Sequence, residues 1–311
     1  MGNEYVKFQN IIIRIAVLMT CHNRRETTLS CLDALYQQKL PENITFEVYL
    51  VDDGSTDGTS SAVRQRFSSV NIIEGSGNLY WCGGMRLAWK EAMKKNHDFY
   101  LWLNDDTLLF SDAIDNLLNV IFMGNVSRFI QTGIVVGSTK DPVTAAHTYG
   151  GCKQIQKNSF DFRPVLPNES FQPCDTFNGN CVLVSQVAFS KLGNLSSAYT
   201  HAIGDTDYGL RAKKSNIPIW VAPYYAGTCK NNPTPSWADH TKPLSNRLRH
   251  LQGPKGLPPG EWLVFCIRHA GWTWPLKVIK LYLRVLSPNL WNKIKMLPND
   301  IQTRFDKISK K

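Results

Sequence analysis

The sequence predicts an α/β fold in which a mostly parallel central sheet is flanked by helices, followed by a helical, basic C-terminal extension. Three observations predict it. Short apolar runs of strand length alternate with stretches whose leucines and alanines recur at helical spacing, the pattern of β-α-β units with right-handed crossovers. Successive runs stop at polar or acidic loops that each open a helix, which places those loops on one edge of a parallel sheet. Charge is segregated: residues 242–311 carry 14 Lys/Arg and 3 Asp/Glu, a net of +11, while residues 1–241 carry 21 Lys/Arg and 22 Asp/Glu, a net of −1.

Taken in order, residues 14–19 are the first strand, and it stops at Thr20-Cys-His-Asn23-Arg24. Leu29, Leu32, Leu35 and Tyr36 then mark a helix. Residues 46–51 are the second strand, ending in Asp52-Asp53-Gly54-Ser55-Thr56-Asp57-Gly58, where the glycines permit a tight turn and the following side chains suit a helix cap. A short strand at 70–73 leads through Gly77-Asn-Leu-Tyr-Trp81-Cys-Gly-Gly84 into a helix that carries Arg86. The apolar run 99–103 is the fourth strand and ends abruptly at Asn104-Asp105-Asp106. Burying a charge is costly, so this carboxylate pair belongs at the strand's C-terminal edge. Taken alone, the triplet reads equally as an Asp-rich turn or helix cap. Several acidic turns on one edge repel each other, however, and a divalent cation bound by oxygen ligands would neutralise them and suit a diphosphate.

Further strands are expected at 132–136 and 180–184, with a polar, Pro-containing loop at 153–174 between them. Asp205 and Asp207 fall at a loop-to-helix junction, where N-capping is the plain alternative to chemistry. Residues 217–222 read as an edge strand because of Pro218. Beyond about Pro233 the chain changes character. Prolines mark irregular chain, and residues 262–286 mix Trp and aliphatic residues with Arg268, Lys277, Lys280 and Arg284. That is the composition of an interfacial amphipathic helix, or equally of a helix packed on a core with a solvated basic face.

Composition sets the outer limits. A chain of 311 residues buries a large core, as one domain or as a domain with an appendage, and 43% hydrophobic with 19% charged residues excludes a disordered protein. No run reads as a secretory leader or a membrane span. Eight scattered cysteines without a CxxC pair fit reduced thiols, so a cytoplasmic location is expected. The basic tail suits an anionic partner: a membrane surface, nucleic acid or a phosphorylated substrate. No Walker A sequence and no GxGxxG after the first strand are present.

Together these motifs resemble the inverting family 2 glycosyltransferases, which have the GT-A nucleotide-sugar-binding fold. Thr20-Cys-His-Asn23-Arg24 resembles the family's T-x-x-N-R segment, and Val51 to Asp57 its nucleoside-binding turn. Asn104-Asp105-Asp106 resembles the metal-binding DxD motif with Asn in the first place. Gly204-Asp205-Thr206-Asp207 with Leu210-Arg211 resembles the acidic segment that holds the catalytic base, with Gly204 replacing the usual Glu. The stretch from Gly77 to Gly84 resembles bacterial rhamnosyltransferase-like enzymes of O-antigen and other surface polysaccharide assembly. The likeness covers roughly residues 14–232, read as the catalytic domain (1–232), and leaves 233–311 as a Trp-rich extension facing acceptor or membrane.

The resemblance implies a hexosyl- or deoxyhexosyltransferase using a nucleoside diphosphate sugar. Thr20, Asn23, Asp52 and Asp53 would bind the nucleoside, and Asn104 or Asp105 the ribose or sugar. Asp106 would hold Mg²⁺ or Mn²⁺. Arg86 would meet a phosphate, with a surface ion pair as the alternative, and Trp81 would wall a sugar ring, with a core role as the alternative. Asp205 is the expected general base; Asp207, near the acceptor or sugar wall, would stabilise the loop or helix start, although carboxylates two residues apart leave the reverse assignment open. A third metal ligand is missing at Gly227-Thr-Cys229; His240 is a possible substitute. The implied acceptor is a glycan on a lipid-diphosphate carrier, reached from the cytoplasmic face of the inner membrane, and no nucleic acid is expected. A nucleotidyltransferase of similar architecture and a non-catalytic nucleotide-sugar binder are the competing classes. The first lacks its glycine-rich loop after strand one, and the intact acidic residues argue against the second.

Overall fold

The computed structural model describes residues 12–122, 133–233, 235–239 and 241–287. Its first half is a β-α-β succession: β1 (Ile13–Cys21), α1 (Arg25–Tyr36), β2 (Ile44–Asp52), α2 (Thr59–Arg66), β3 (Asn71–Glu74), α3 (Tyr80–Ala92) and β4 (Phe99–Leu103). There follow β5 (Leu108–Leu109), α4 (Ala113–Phe122), β6 (Ile134–Lys140), β7 (Gly151–Gln154), β8 (Phe162–Pro164), β9 (Gln172–Pro173), β10 (Thr176–Phe177), β11 (Cys181–Ser185), α5 (Gln186–Leu192), α6 (Gly204–Lys214) and β12 (Ile219–Thr228).

Nine of these strands form one sheet in the order β3-β2-β1-β4-β11-β6-β12-β5, with β9 also paired to β12. β1, β2, β3 and β4 are mutually parallel, and β11 runs antiparallel between β4 and β6. The chain passes from β1 outward to β2 and β3 and returns on the other side of β1 as β4. The reversal opens a crevice at the C-terminal ends of β1 and β4, where ligands bind in such sheets.

Strand alternation builds two cores. Ile15, Val17 and Met19 of β1 and Leu101 and Leu103 of β4 face α1, α2 and α4; Ala16, Leu18, Tyr100 and Trp102 face α3, α5 and α6. Trp102 sits under the crevice against Trp81, Trp89, Phe177 and Tyr208. Truncating so large a buried ring costs about 3–5 kcal/mol.

Three expectations are corrected. The strand at 217–222 is not an edge: β12 lies between β6 on one side and β5 and β9 on the other. Pro218 precedes it, and Pro223 falls where its register with β6 shifts between Val221 and Tyr225, so neither proline breaks the ladder. The loop expected at 153–174 contains β8, which joins β7 and β10 in a second, three-stranded sheet, and β9. The Trp-rich tail is not one helix. It breaks at Gly271, which takes φ +57°, a left-handed turn that ends α8 (Pro259–His269) before α9 (Trp274–Leu286).

The chain divides into two compact units, Met1–Ile155 with Asp161–Asn231, and Gln156–Phe160 with Asn232–Lys311. In the second, α7 (Leu244–Gln252), α8 and α9 enclose a small core of Leu251, Leu281 and Val285. Buried Arg247 reaches from α7 to donate to the carbonyls of Arg284 and Val285, satisfying acceptors that the end of α9 leaves open. No described helix is long and apolar enough to cross a membrane.

Candidate active site

The loops after β1 and β2 are laced together at the sheet edge. Asn23, in left-handed backbone, accepts on Oδ1 from the Thr56 N–H at 2.7 Å while its own N–H donates to Ser55 Oγ at 2.9 Å. Asp57 accepts from the Arg25 N–H at 3.0 Å, fixing the start of α1. His22 Nδ1 lies 2.6 Å from the Asp53 carbonyl. Asp52 is buried; Oδ1 accepts from the Ser55 N–H at 2.9 Å and Oδ2 from the Ser60 hydroxyl. Asp53 is buried as well, and its carboxylate accepts the N–H groups of Gly77 (2.7 Å), Leu79 (2.9 Å) and Tyr80 (2.9 Å). A buried carboxylate needs such donors. Asp53 therefore works as the bolt that holds the 75–80 loop and the start of α3 against the β2 turn, rather than as a free donor-binding group. On the other side Thr20 is met by α3 at Gly84, where any Cβ would collide with the Thr20 hydroxyl.

At the end of β4 the triplet divides its work. Asn104 Oδ1 accepts from Trp81 Nε1 at 2.7 Å, and the Asn104 N–H donates to the Asn180 carbonyl at 3.0 Å. Asp105 is buried and Asp106 partly exposed, and Arg24 Nη1 bridges them, 2.9 Å from Asp105 Oδ1 and 2.8 Å from Asp106 Oδ2. Burial pushes the Asp105 carboxyl up to about 6, with Arg24 opposing and Asp106 adding to the rise. Burial also works against the Arg24 charge, but the two carboxylates outweigh it and hold the guanidinium ionised. Cys229, at the end of β12, donates to Asp106 Oδ1 at 3.5 Å and accepts from Asn180 Nδ2 at 3.5 Å. Burial, with Asp106 adding, pushes its thiol up to about 12.

Asp205 stands in the first turn of α6. Its Oδ2 accepts from the Gly179 N–H at 3.0 Å and its Oδ1 from the Thr206 N–H at 2.7 Å. Burial raises this carboxyl, and those two N–H groups oppose the rise. The Gly179-Asn180 segment thus ties Asp205, on one side, to Asn104 on the other, with the Trp81 ring lying against Gly179. At Gly204 a Cβ would run into Cys82 Sγ.

Two expected site residues have other partners. Asp207 is fully buried, accepting from Tyr199 Oη at 3.0 Å and from Arg211 Nε at 2.9 Å. It anchors α6 through these two partners. Arg86 donates from Nη1 to the carbonyls of Ser196 (2.9 Å) and Tyr199 (2.7 Å), so it staples the 196–199 loop instead of awaiting a phosphate. Sequence reasoning missed Arg24 as a site residue. Its partners lie 81 and 82 residues away, so no local pattern pairs them with it.

The residues present fit a divalent cation. Arg24 already holds positive charge between Asp105 and Asp106, and Asp105 Oδ2 is a buried oxygen with no partner. Among the described residues no group of three or more His, Cys, Asp or Glu side chains is gathered for a metal. His240 lies outside the described residues.

This geometry has relatives. The chain is 24% identical over 258 residues to an N-acetylglucosaminyl-diphospho-decaprenol L-rhamnosyltransferase of Mycobacterium tuberculosis, covering 72% of this chain and 76% of that protein. It is 25% identical over 178 residues to the low-salt glycan biosynthesis hexosyltransferase Agl10 of Haloferax volcanii, covering 56% of this chain and spanning only 55% of the length of that protein. Among solved structures, the mannosyltransferase PcManGT of Pyrobaculum calidifontis, in complex with GDP-Man and Mn²⁺, superposes with a TM-score of 0.50 at 16% identity, over 89% of this chain and 75% of that one, a likeness of GT-A fold. A family model described as glycosyl transferase family 2 matches residues 16–193, more than half of the sequence, and the chain therefore belongs to glycosyl transferase family 2.

Proposed function

We propose that the protein transfers a hexosyl or deoxyhexosyl group from a nucleoside diphosphate sugar to a hydroxyl of a glycan acceptor, with inversion at the anomeric carbon. The observation that carries the proposal is the tie through Gly179-Asn180, which sets a raised-pKa carboxylate, Asp205, beside the Asn104–Asp106 triplet at the crevice of β1 and β4. Asp205 takes the proton from the acceptor hydroxyl as its oxygen attacks the face opposite the leaving diphosphate. Thr20, Asn23 and Asp52 line the nucleoside side, Asn104 and Asp105 the ribose and sugar, and Trp81 one wall of the sugar pocket. Asp106 would hold Mg²⁺ or Mn²⁺, which when bound neutralises the leaving diphosphate as a Lewis acid.

The mycobacterial relative, named for a diphospho-decaprenol acceptor, supports a lipid-diphosphate carrier here. That carrier would bring the protein to the cytoplasmic face of the membrane as a peripheral enzyme. Residues 1–232 form the catalytic domain in this reading and 233–311 the part facing acceptor or membrane. The test is release of nucleotide from a panel of nucleoside diphosphate sugars, with Mg²⁺ or Mn²⁺ and a lipid-diphosphate glycan. One donor should turn over, and Asp106→Ala and Asp205→Asn should abolish release while leaving the far-UV spectrum unchanged. No turnover of any donor, or full turnover by Asp205→Asn, refutes the reading.

A further inference from the structure

The second compact unit carries an apolar surface that nothing in the catalytic reading uses. Helix α9 is apolar on two opposite sides. Leu281 and Val285 are buried in the small core, whereas Leu276, Ile279 and Leu286, at helical spacing on the other side, are 43%, 53% and 52% exposed. One apolar side is covered by the unit's own core, and the other is left for a partner or a lipid boundary. Trp272 and Trp274, in the turn before α9, are 57% and 36% exposed, and Leu263 and Ile267 lie exposed one turn apart on α8.

Charge selects the occupant. Residues 262–299 contain six Lys/Arg and no Asp or Glu. Lys277, Lys280 and Arg284 recur at helical spacing along one flank of the exposed apolar stripe of α9; Lys277 Nζ lies 5.5 Å over the Phe160 ring and Arg284 Cζ 5.1 Å over the Trp237 ring, and Lys280 is exposed. A second copy of the chain would set basic flank against basic flank. Residues 288–311 add six Lys/Arg against two Asp, so they repel this surface too. A nucleic acid offers phosphates, and bases on which a tryptophan could stack, but no apolar phase for Leu276, Ile279 and Leu286. At 13 residues α9 is about 20 Å long, too short to span the hydrocarbon layer, so it lies along the surface.

We infer that the turn around Trp272 and Trp274, together with the exposed face of α9, docks on an anionic phospholipid bilayer, the apolar stripe entering the boundary of headgroups and acyl chains and the basic flank pairing with lipid phosphate. The inference rests on the glycosyltransferase reading for its purpose, delivery to a lipid-linked acceptor, but its physical basis is independent.

The test is flotation of the full chain with phosphatidylcholine vesicles, with and without phosphatidylglycerol, at low and high salt. The protein floats only with phosphatidylglycerol vesicles, and salt releases it. Trp272→Ala/Ile279→Asp lowers the partition at least about tenfold. Lys280→Glu, at an exposed position, lowers it severalfold and leaves a shallower dependence on salt than that of the wild type. Both variants keep the far-UV spectrum. Undiminished flotation of the double variant overturns the inference. So does a dimer without vesicles that Ile279→Asp dissolves, or salt-sensitive retention of DNA or RNA on filters with no flotation. Wild-type flotation without nucleotide release from any donor would refute the enzyme reading and leave the docking surface standing.

Discussion

Replacing Gly179 by alanine probes the tie across the site. The new Cβ would lie 2.5 Å from Cζ2 and 2.6 Å from Cη2 of Trp81, closer than carbon atoms approach, so the indole must tilt. Gly179 is outside the left-handed region, so the backbone itself accepts alanine. Overpacking of this kind costs about 1–3 kcal/mol. Tilting the ring also strains the 2.7 Å bond from Trp81 Nε1 to Asn104, worth about 1 kcal/mol. Gly179→Ala should therefore destabilise by about 2–4 kcal/mol. Trp81→Phe removes both colliding carbons and the indole N–H, and alone costs about 1–3 kcal/mol. In the double variant the methyl occupies vacated space, so the total falls short of the sum by about 1–3 kcal/mol. Urea denaturation of the four proteins, followed by far-UV circular dichroism, closes the cycle. Costs that add to within about 0.5 kcal/mol would refute the claim that the ring and Gly179 share one close-packed space.

Other outcomes follow from the same geometry. Asp205→Asn should lower kcat about 10²–10⁴-fold with little change in donor affinity. Because burial raises the Asp205 carboxyl and a base works deprotonated, wild-type kcat/KM should fall on acidification with an apparent pKa above the ordinary 3.8; a limb at or below that value counts against Asp205 as base. Asp207→Asn breaks a buried ion pair and should cost about 3–5 kcal/mol in urea denaturation, whereas Tyr199→Phe costs about 1 kcal/mol; reversal of that order would undo the anchoring role. Arg24→Ala removes the resident cation between Asp105 and Asp106, so Mn²⁺ binding to the donor-free protein, read by electron paramagnetic resonance, should tighten about fivefold, a screened pair being worth about 1 kcal/mol. Weaker Mn²⁺ binding would mean that Arg24 supports the cation's position rather than competing for it.

What the sequence reveals depends on how local each feature is. Asp52 and Asn104–Asp106 are readable because an apolar run that ends in carboxylates has one sensible place in a parallel sheet, and the β-α alternation puts both turns at the same edge. The ion pair of Asp207 with Arg211 is a one-turn helical spacing and was open to reading. Arg24 is not, because its partners lie 81 and 82 residues away. Arg86 misleads for a similar reason: the carbonyls that claim it come from the 196–199 loop, which the strand pattern does not locate. Pro218 hides an interior strand because it stands just before β12 and not within its ladder, and Gly271 hides a helix break because the aromatic and aliphatic pattern continues across it.

The reversed direction of β11 limits how this family member can change length. Since β11 runs antiparallel to β4, it begins, rather than ends, at the crevice, and the two residues just before it offer the Gly179 N–H to Asp205 and the Asn180 carbonyl to Asn104. Insertion or deletion of a single residue within Cys181–Ser185 would turn the side chains on one side of it to the opposite core or draw the two backbone groups before the strand away from their partners. Tolerance of insertions should therefore be lowest in β11 and rise steeply in the surface turn at 141–146. A scan of one-residue insertions across the chain would map the cross-tie as a narrow band of inactive, unstable variants.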